Sequence, residues 1–187
     1  MRFRSASMSP RDWGLAAAAG ALLLDQASKL AVLYGYGFKV PEQYCRLAHR
    51  PPIESVPIFP FFNISMVPNC GISYGLFQMH GWLGVGVLVG AAFLAVIGLG
   101  LWLWHTANRV LAIGLGLIMG GAIGNNLVDR PLYGWVADFF DFHFSNYHWY
   151  VFNVADAAIT FGVIALVYDA LIGPPQAGFD GRGKISE

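Results

Sequence analysis

Four stretches of this chain are apolar enough and long enough to decide its environment before any other feature is read. Trp13 to Leu33, Trp82 to Trp104, Val110 to Val128 and Val151 to Ile172 each reach across a hydrocarbon core of about 30 Å when helical. Their backbone groups must be satisfied inside lipid, which points to four transmembrane helices packed as a bundle. The balance of 56% hydrophobic to 12% charged residues over 187 positions is too apolar for a soluble domain. The second stretch holds no charged residue and is framed by Trp82, Trp102 and Trp104, which suit the membrane–water interface. Asp25 and Lys29 interrupt the outer third of the first.

The fold class expected is therefore an all-α membrane protein. It is a four-transmembrane-helix bundle with a small extracytoplasmic, strand-containing segment, 34–80, between the first two helices. Pro41, Pro51, Pro52, Pro57, Pro60 and Pro68 exclude a long helix there. Phe61 to Val67 shows the partial alternation of a half-exposed strand, and Asn69 to Phe77, with Gly71 and Gly75, suggests a tight approach to the second span. Residues 1–173 read as one integral membrane domain, and 174–187, rich in glycine and proline, as a disordered cytoplasmic tail. No small-residue cleavage signature follows the first apolar stretch, so that span is expected to be retained. Arg2, Arg4, Arg11, Arg109, Arg182 and Lys184 flank one side, against Lys39, Arg46 and Arg50 on the other. The positive-inside bias then places both termini in the cytoplasm. A net charge of zero gives no sign of a nucleic-acid partner. Cys45 and Cys70 have no metal or redox spacing, and either a disulfide or free buried thiols fits them.

Against that background the polar residues stand out. An ionisable group in or near the bilayer core carries a cost of several kcal/mol by some scales and so needs partners and a task. Asp25 and Lys29, Asn126 and Arg130, and Asn153 and Asp156 recur at helical spacings of three or four. On a chain crossing out, in, out and in, they gather with Asn125 and Asp129 at one face of the bundle. Asp138 falls in the loop joining the last two spans. Spacing alone thus predicts a water-accessible polar site at the outer edge of the bundle.

The same residues carry a resemblance. Asp25-Gln26-Ala27-Ser28-Lys29, Asn69-Cys70-Gly71-Ile72-Ser73-Tyr74-Gly75, Asn126-Leu127-Val128-Asp129-Arg130, Val136-Ala137-Asp138-Phe139 and Phe152-Asn153-Val154-Ala155-Asp156 resemble, in order, the signature blocks of lipoprotein signal peptidase, or signal peptidase II. The resemblance implies an aspartyl endopeptidase of the bacterial inner membrane, expected as a monomer with membrane lipid around it. Its substrate would be a diacylglyceryl prolipoprotein, cut just before the lipidated cysteine. The family's catalytic aspartates match Asp138 and Asp156, with Asn69, Gly71, Asn126, Asp129, Arg130 and Asn153 as substrate-binding or supporting residues. The third block departs from the pattern, reading Gly124-Asn125-Asn126 where the family has one glycine and one asparagine. Either Asn125 replaces the glycine, or one residue has been inserted. The loop from Tyr34 to Pro60 is also longer than usual.

Two carboxylates sharing a site cannot both ionise cheaply, so one keeps a proton. The charged one takes a proton from water, and its partner protonates the leaving amine. That chemistry needs no cofactor, metal or covalent nucleophile. Asp25 with Lys29 reads as a structural pair pinning the first helix. Asp129 is open between a third catalytic carboxylate and a salt-bridged or capping residue beside Arg130. Asp141, Asp169, His143 and His148 read as surface or interfacial residues, and Phe139, Phe140, Phe142, Trp149 and Tyr150 as an interfacial aromatic belt. A proton-coupled transporter or relay is the alternative use of such carboxylates, but broken helices and an internal repeat are missing from the sequence. The glycine-x-glycine-aspartate motif of presenilin-type proteases is also missing.

Overall fold

The computed structural model describes residues 8–41, 44–47, 49, 51, 54–71, 82–145 and 147–172. Helix α1, Pro10–Gly35, starts where Ser9 and Asp12 exchange hydrogen bonds, the Ser9 backbone amide donating to Asp12 Oδ2 at 2.8 Å. Pro10 occupies the first turn, where a missing N–H is harmless. Helix α2 runs from Trp82 to His105 and α3 from Arg109 to Ala122. The α3 turn widens into a π-helical segment, Ile123–Asp129, and closes as a short α4, Arg130–Tyr133, ended by Gly134 in the left-handed region. Helix α5 spans Val154–Ile172. Four helices are long and apolar enough to cross a membrane, with α3 and its continuation counting as one, Arg109–Tyr133.

Helix α3 lies at the centre, with 56% of its apolar stretch buried against 6% of α2's. Glycine makes this possible. A Cβ on Gly116 would stand 2.0 Å from the Gly14 carbonyl oxygen of α1, and one on Gly120 would stand 2.4 Å from that of Ala18. On the other side, a Cβ on Gly121 would meet the Ala155 oxygen of α5 at 2.5 Å. Without a hydrophobic drive between helices in lipid, such backbone-to-backbone approach is what holds them. At one end of the bundle Arg109 sits over Trp13 at 3.8 Å and Arg11 over Trp104 at 4.6 Å. There Asn108 caps α3 and its side-chain amide donates to Asp169 of α5, so Asp169 is tied into the fold rather than being a plain surface charge.

A four-stranded antiparallel sheet covers the other end. It comprises β1 (Glu54–Phe59), β2 (Phe62–Asn69), β3 (Val136–Phe144) and β4 (Tyr147–His148), in that order. The sequence pattern alone places strands only between the first two helices and Asp138 in a loop. Strands are not confined to the segment between the first two helices, and Asp138 lies on β3 rather than in a loop. The reason is that Val136 to Phe144 is aromatic-rich and pairs with β2, Pro68 facing Ala137 and Val67 facing Asp138. The register slips between Ile64 and Val67, an irregularity that bends strands beside sites. Phe139 is 1% exposed and packs with Val32 and Ile64, so it belongs to the core, while Phe142 and Trp149 remain exposed. Cys45 and Cys70 form a disulfide, which resolves the alternative left open above. The tail 174–187 and the stretch 72–77 lie outside the described residues.

Candidate active site

The polar residues of α1, the π segment, β2, β3 and α5 converge where the bundle meets the sheet. Lys29 is the hub. Its ammonium donates to Asp25 Oδ2, Asp129 Oδ2 and Asn125 Oδ1, each at 2.7 Å. Three donors thus meet three acceptors, and all four residues are buried. Gln26 Nε2 adds bonds of 3.0 Å to both Asp25 and Asp129. Asp25 Oδ1 accepts the Ala155 amide at 3.0 Å, fastening α1 to the first turn of α5. Asp129 therefore pairs with Lys29 across the helices rather than with its neighbour Arg130, and it also accepts the backbone amide of Ala137 on β3 at 3.4 Å.

Asp138 and Asp156 meet through Asn153. The Asn153 side-chain amide donates to Asp138 Oδ1 at 2.6 Å, while its backbone amide donates to Asp156 Oδ2 at 3.2 Å. Asp156 returns a bond from its own amide to Asn153 Oδ1 at 2.9 Å. Asn153 is thus the N-cap of α5 and Asp156 its third residue, a reciprocal capping arrangement. Asp138 is 2% exposed and its second oxygen accepts from Asn69 Nδ2 at 3.0 Å. Burial first, and then the charge of Asp156, push the Asp138 carboxyl well above the ordinary range, against the opposing pull of the Asn69 and Asn153 amides. Asp156 is only half-buried, so water reaches the pair from its side.

The asparagine question has a geometric answer. Asn125 Nδ2 donates to Asp156 Oδ1 at 2.9 Å, and Asn125 Oδ1 accepts from both Lys29 and Asn153. Asn126, the residue favoured from sequence, points elsewhere and accepts from Arg130 Nε at 2.9 Å. A π turn accommodates one residue more than the α-helix around it. Gly124 therefore keeps a glycine position, where a Cβ would stand 2.5 Å from Asp25 Oδ2, and Asn125 takes the site. Arg130 donates through Nη2 to the Gly71 carbonyl, while its buried Nη1 has no hydrogen-bond partner among the described residues. Gly71 in turn donates its amide to Asn69 Oδ1 at 3.0 Å. Asn69, Gly71 and Arg130 thus form one brace behind Asp138. A straight α-helix leaves both asparagines eligible, and only the π phase selects Asn125.

Fold and site together define a membrane protein that carries a carboxylate pair at the junction of a helix bundle and a sheet. The likeness to known proteins narrows this further. The chain belongs to the signal peptidase II family, whose sequence pattern, described as Signal peptidase (SPase) II, matches residues 17–172. It is 46% identical over 164 residues to a lipoprotein signal peptidase of Methylobacterium sp. (strain 4-46), covering 88% of this chain and 92% of that one. It is 41% identical over 177 residues to that of Methylocella silvestris, covering 95% and 96%. A solved structure of a bacterial membrane enzyme superposes with a TM-score of 0.67 at 25% identity, covering 87% of this chain and 92% of that one.

Proposed function

We propose that this protein removes signal peptides from diacylglyceryl prolipoproteins in the bacterial inner membrane, cutting just before the lipidated cysteine with Asp138 and Asp156 as the catalytic pair. The names of its relatives support the peptidase activity and the lipoprotein substrate. The observation that carries the dyad is the single Asn153 side chain and backbone holding both carboxylates. With Asp138's carboxyl raised by burial and by the neighbouring charge of Asp156, the pair favours sharing a proton, and its titration belongs to both residues together. The ionised member takes a proton from water, that water attacks the scissile carbonyl, and the protonated member bonds the carbonyl oxygen. The proton then passes to the leaving amine.

Asn125 and Asn69 orient the carboxylates, and the Lys29 hub ties α1 and the π segment to the first turn of α5, which carries Asp156. Arg130, through an Nη1 that has no hydrogen-bond partner among the described residues, is placed to bind a carbonyl or phosphate oxygen of the lipidated substrate. The protein works as a monomer crossing the membrane four times, with both termini cytoplasmic and the site near the extracytoplasmic face. The positive-inside bias and the arginine–tryptophan pairs at the opposite end support this orientation. The test is cleavage of a diacylglyceryl-modified prolipoprotein by purified wild type, Asp138→Asn and Asp156→Asn at matched folded amounts. Loss in both variants is expected. Cleavage retained by either places the chemistry elsewhere.

A further inference from the structure

A second polar system crosses the sheet away from the carboxylate pair. Ser55 on β1 and Ser65 on β2 face each other in register, with their hydroxyls 2.8 Å apart. The Ser65 hydroxyl donates to Asp141 Oδ2 on β3 at 2.7 Å, and Asp141 Oδ1 lies 2.8 Å from His148 Nδ1 on β4. His143 is directly opposite His148 in the β3–β4 pairing, and their rings stack at 5.0 Å. Asp141 is 4% exposed, so it is not the surface residue its sequence context suggested. Strand alternation puts Asp141 and His143, two apart, on one face and Asp138 on the other.

We infer that Asp141, His143 and His148 form a binding site for a borderline divalent metal ion of the zinc class, separate from the carboxylate pair. One donor atom from each of the three lies within 4.8 Å of the others. A tetrahedral ion with bonds of about 2.0–2.1 Å sets its ligand atoms about 3.3–3.4 Å apart, so the wider separations close by up to about 1.5 Å and the Asp141–His148 contact gives way to the metal, a movement the half-exposed His148 side chain permits. The donor set, two imidazoles and one carboxylate, is one that zinc takes, with a fourth position left for water.

Two features go beyond proximity. Ser65, itself held by Ser55, fixes the carboxylate through Oδ2, the oxygen not bonded to His148, as outer partners orient metal ligands. His143 Nδ1 is buried with no hydrogen-bond partner among the described residues, which is anomalous for a buried nitrogen unless something else meets it. The exposed edge of His148 supplies the access path. A bound ion ties β4 to β3 three residues from Asp138, and the hydrolytic chemistry itself passes through none of these groups.

The experiment uses the full chain in detergent, stripped with chelator and titrated calorimetrically with Zn²⁺ alone. Wild type is expected to bind one Zn²⁺ per chain, and its melting midpoint to rise with Zn²⁺ concentration as a native-state ligand requires. His148→Ala, chosen because that side chain is 53% exposed and its loss leaves the core intact, is expected to weaken binding at least tenfold and abolish the melting shift. Asp138→Asn is expected to leave both unchanged. No saturable binding by wild type, undiminished binding by His148→Ala, or loss in Asp138→Asn overturns the assignment.

Discussion

Replacing Lys29 by methionine isolates the energetic core of the site. Lys29, Asp25 and Asp129 are 2%, 0% and 1% exposed, and the ammonium contacts both carboxylates at 2.7 Å. Removing one partner of a buried ion pair destabilises by about 3–5 kcal/mol because the remaining charge is stranded. Two charges are stranded here, yet each keeps donors: Gln26 serves both, and the Ala155 and Ala137 amides serve one apiece. The single-pair figure is therefore the appropriate one, not its double. At about 2–4 °C per kcal/mol for a chain of this size, Lys29→Met should melt about 6–20 °C below wild type, followed by tryptophan fluorescence in detergent. The triple variant Lys29→Met, Asp25→Asn, Asp129→Asn removes the stranded charges and should recover at least half of the loss. A fall of less than about 3 °C in the single variant, or a triple variant melting no higher than it, refutes the stranded-charge account.

Asn125→Ala leaves partners of Lys29, Asn153 and Asp156 unmet, an effect of about 1–3 kcal/mol. Expressed in kcat/KM on a lipidated precursor, this is a loss of about 5- to 150-fold, and Asn126→Ala should lose less; the reverse order contradicts the π-phase assignment. Asn69→Ala removes a donor that favours the Asp138 carboxylate. The pair's upper pKa then rises, so the alkaline limb of the kcat/KM profile should move to higher pH; a limb that stays or moves down counts against the shared-proton reading. Gly116→Ala drives a methyl into the Gly14 carbonyl and should destabilise by about 1–3 kcal/mol or more. In the same denaturation assay Gly98→Ala, with open space around it, should be neutral or slightly stabilising.

Much of the helical architecture was legible because membrane spans announce themselves by length and apolarity. The clustering of Asp25, Lys29, Asp129, Asn153 and Asp156 was legible for the complementary reason that charges in such stretches need one another. What escaped depended on pairing or phase. Phe139 reads as part of an interfacial belt because strand pairing between residues 62–69 and 136–144 is non-local, and without it Phe139 has no core to enter. Asp141 looked superficial because the hydroxyl that holds it, on Ser65, is 76 positions away. Asn125 and Asn126 are indistinguishable by composition, and a single wide turn exchanges which of them faces Asp156. Asp129 was read beside Arg130 because chain neighbours are visible in a sequence, whereas its partner Lys29 lies on another helix.

The disulfide bears on when the protein becomes competent. Cys70 directly follows Asn69, whose amide holds Asp138, and Cys45 lies in the loop leaving α1. Closing that bond secures the strand end that braces the carboxylate, so a newly inserted chain with reduced thiols has every acidic residue in its sequence and a looser grip on one of them. On the proposed topology this loop faces the oxidising side of the membrane, where such bonds form and persist. Maturation of the protease would then be coupled to translocation of its own loop: full hydrolytic competence arrives only after the segment between the first two helices has crossed the bilayer.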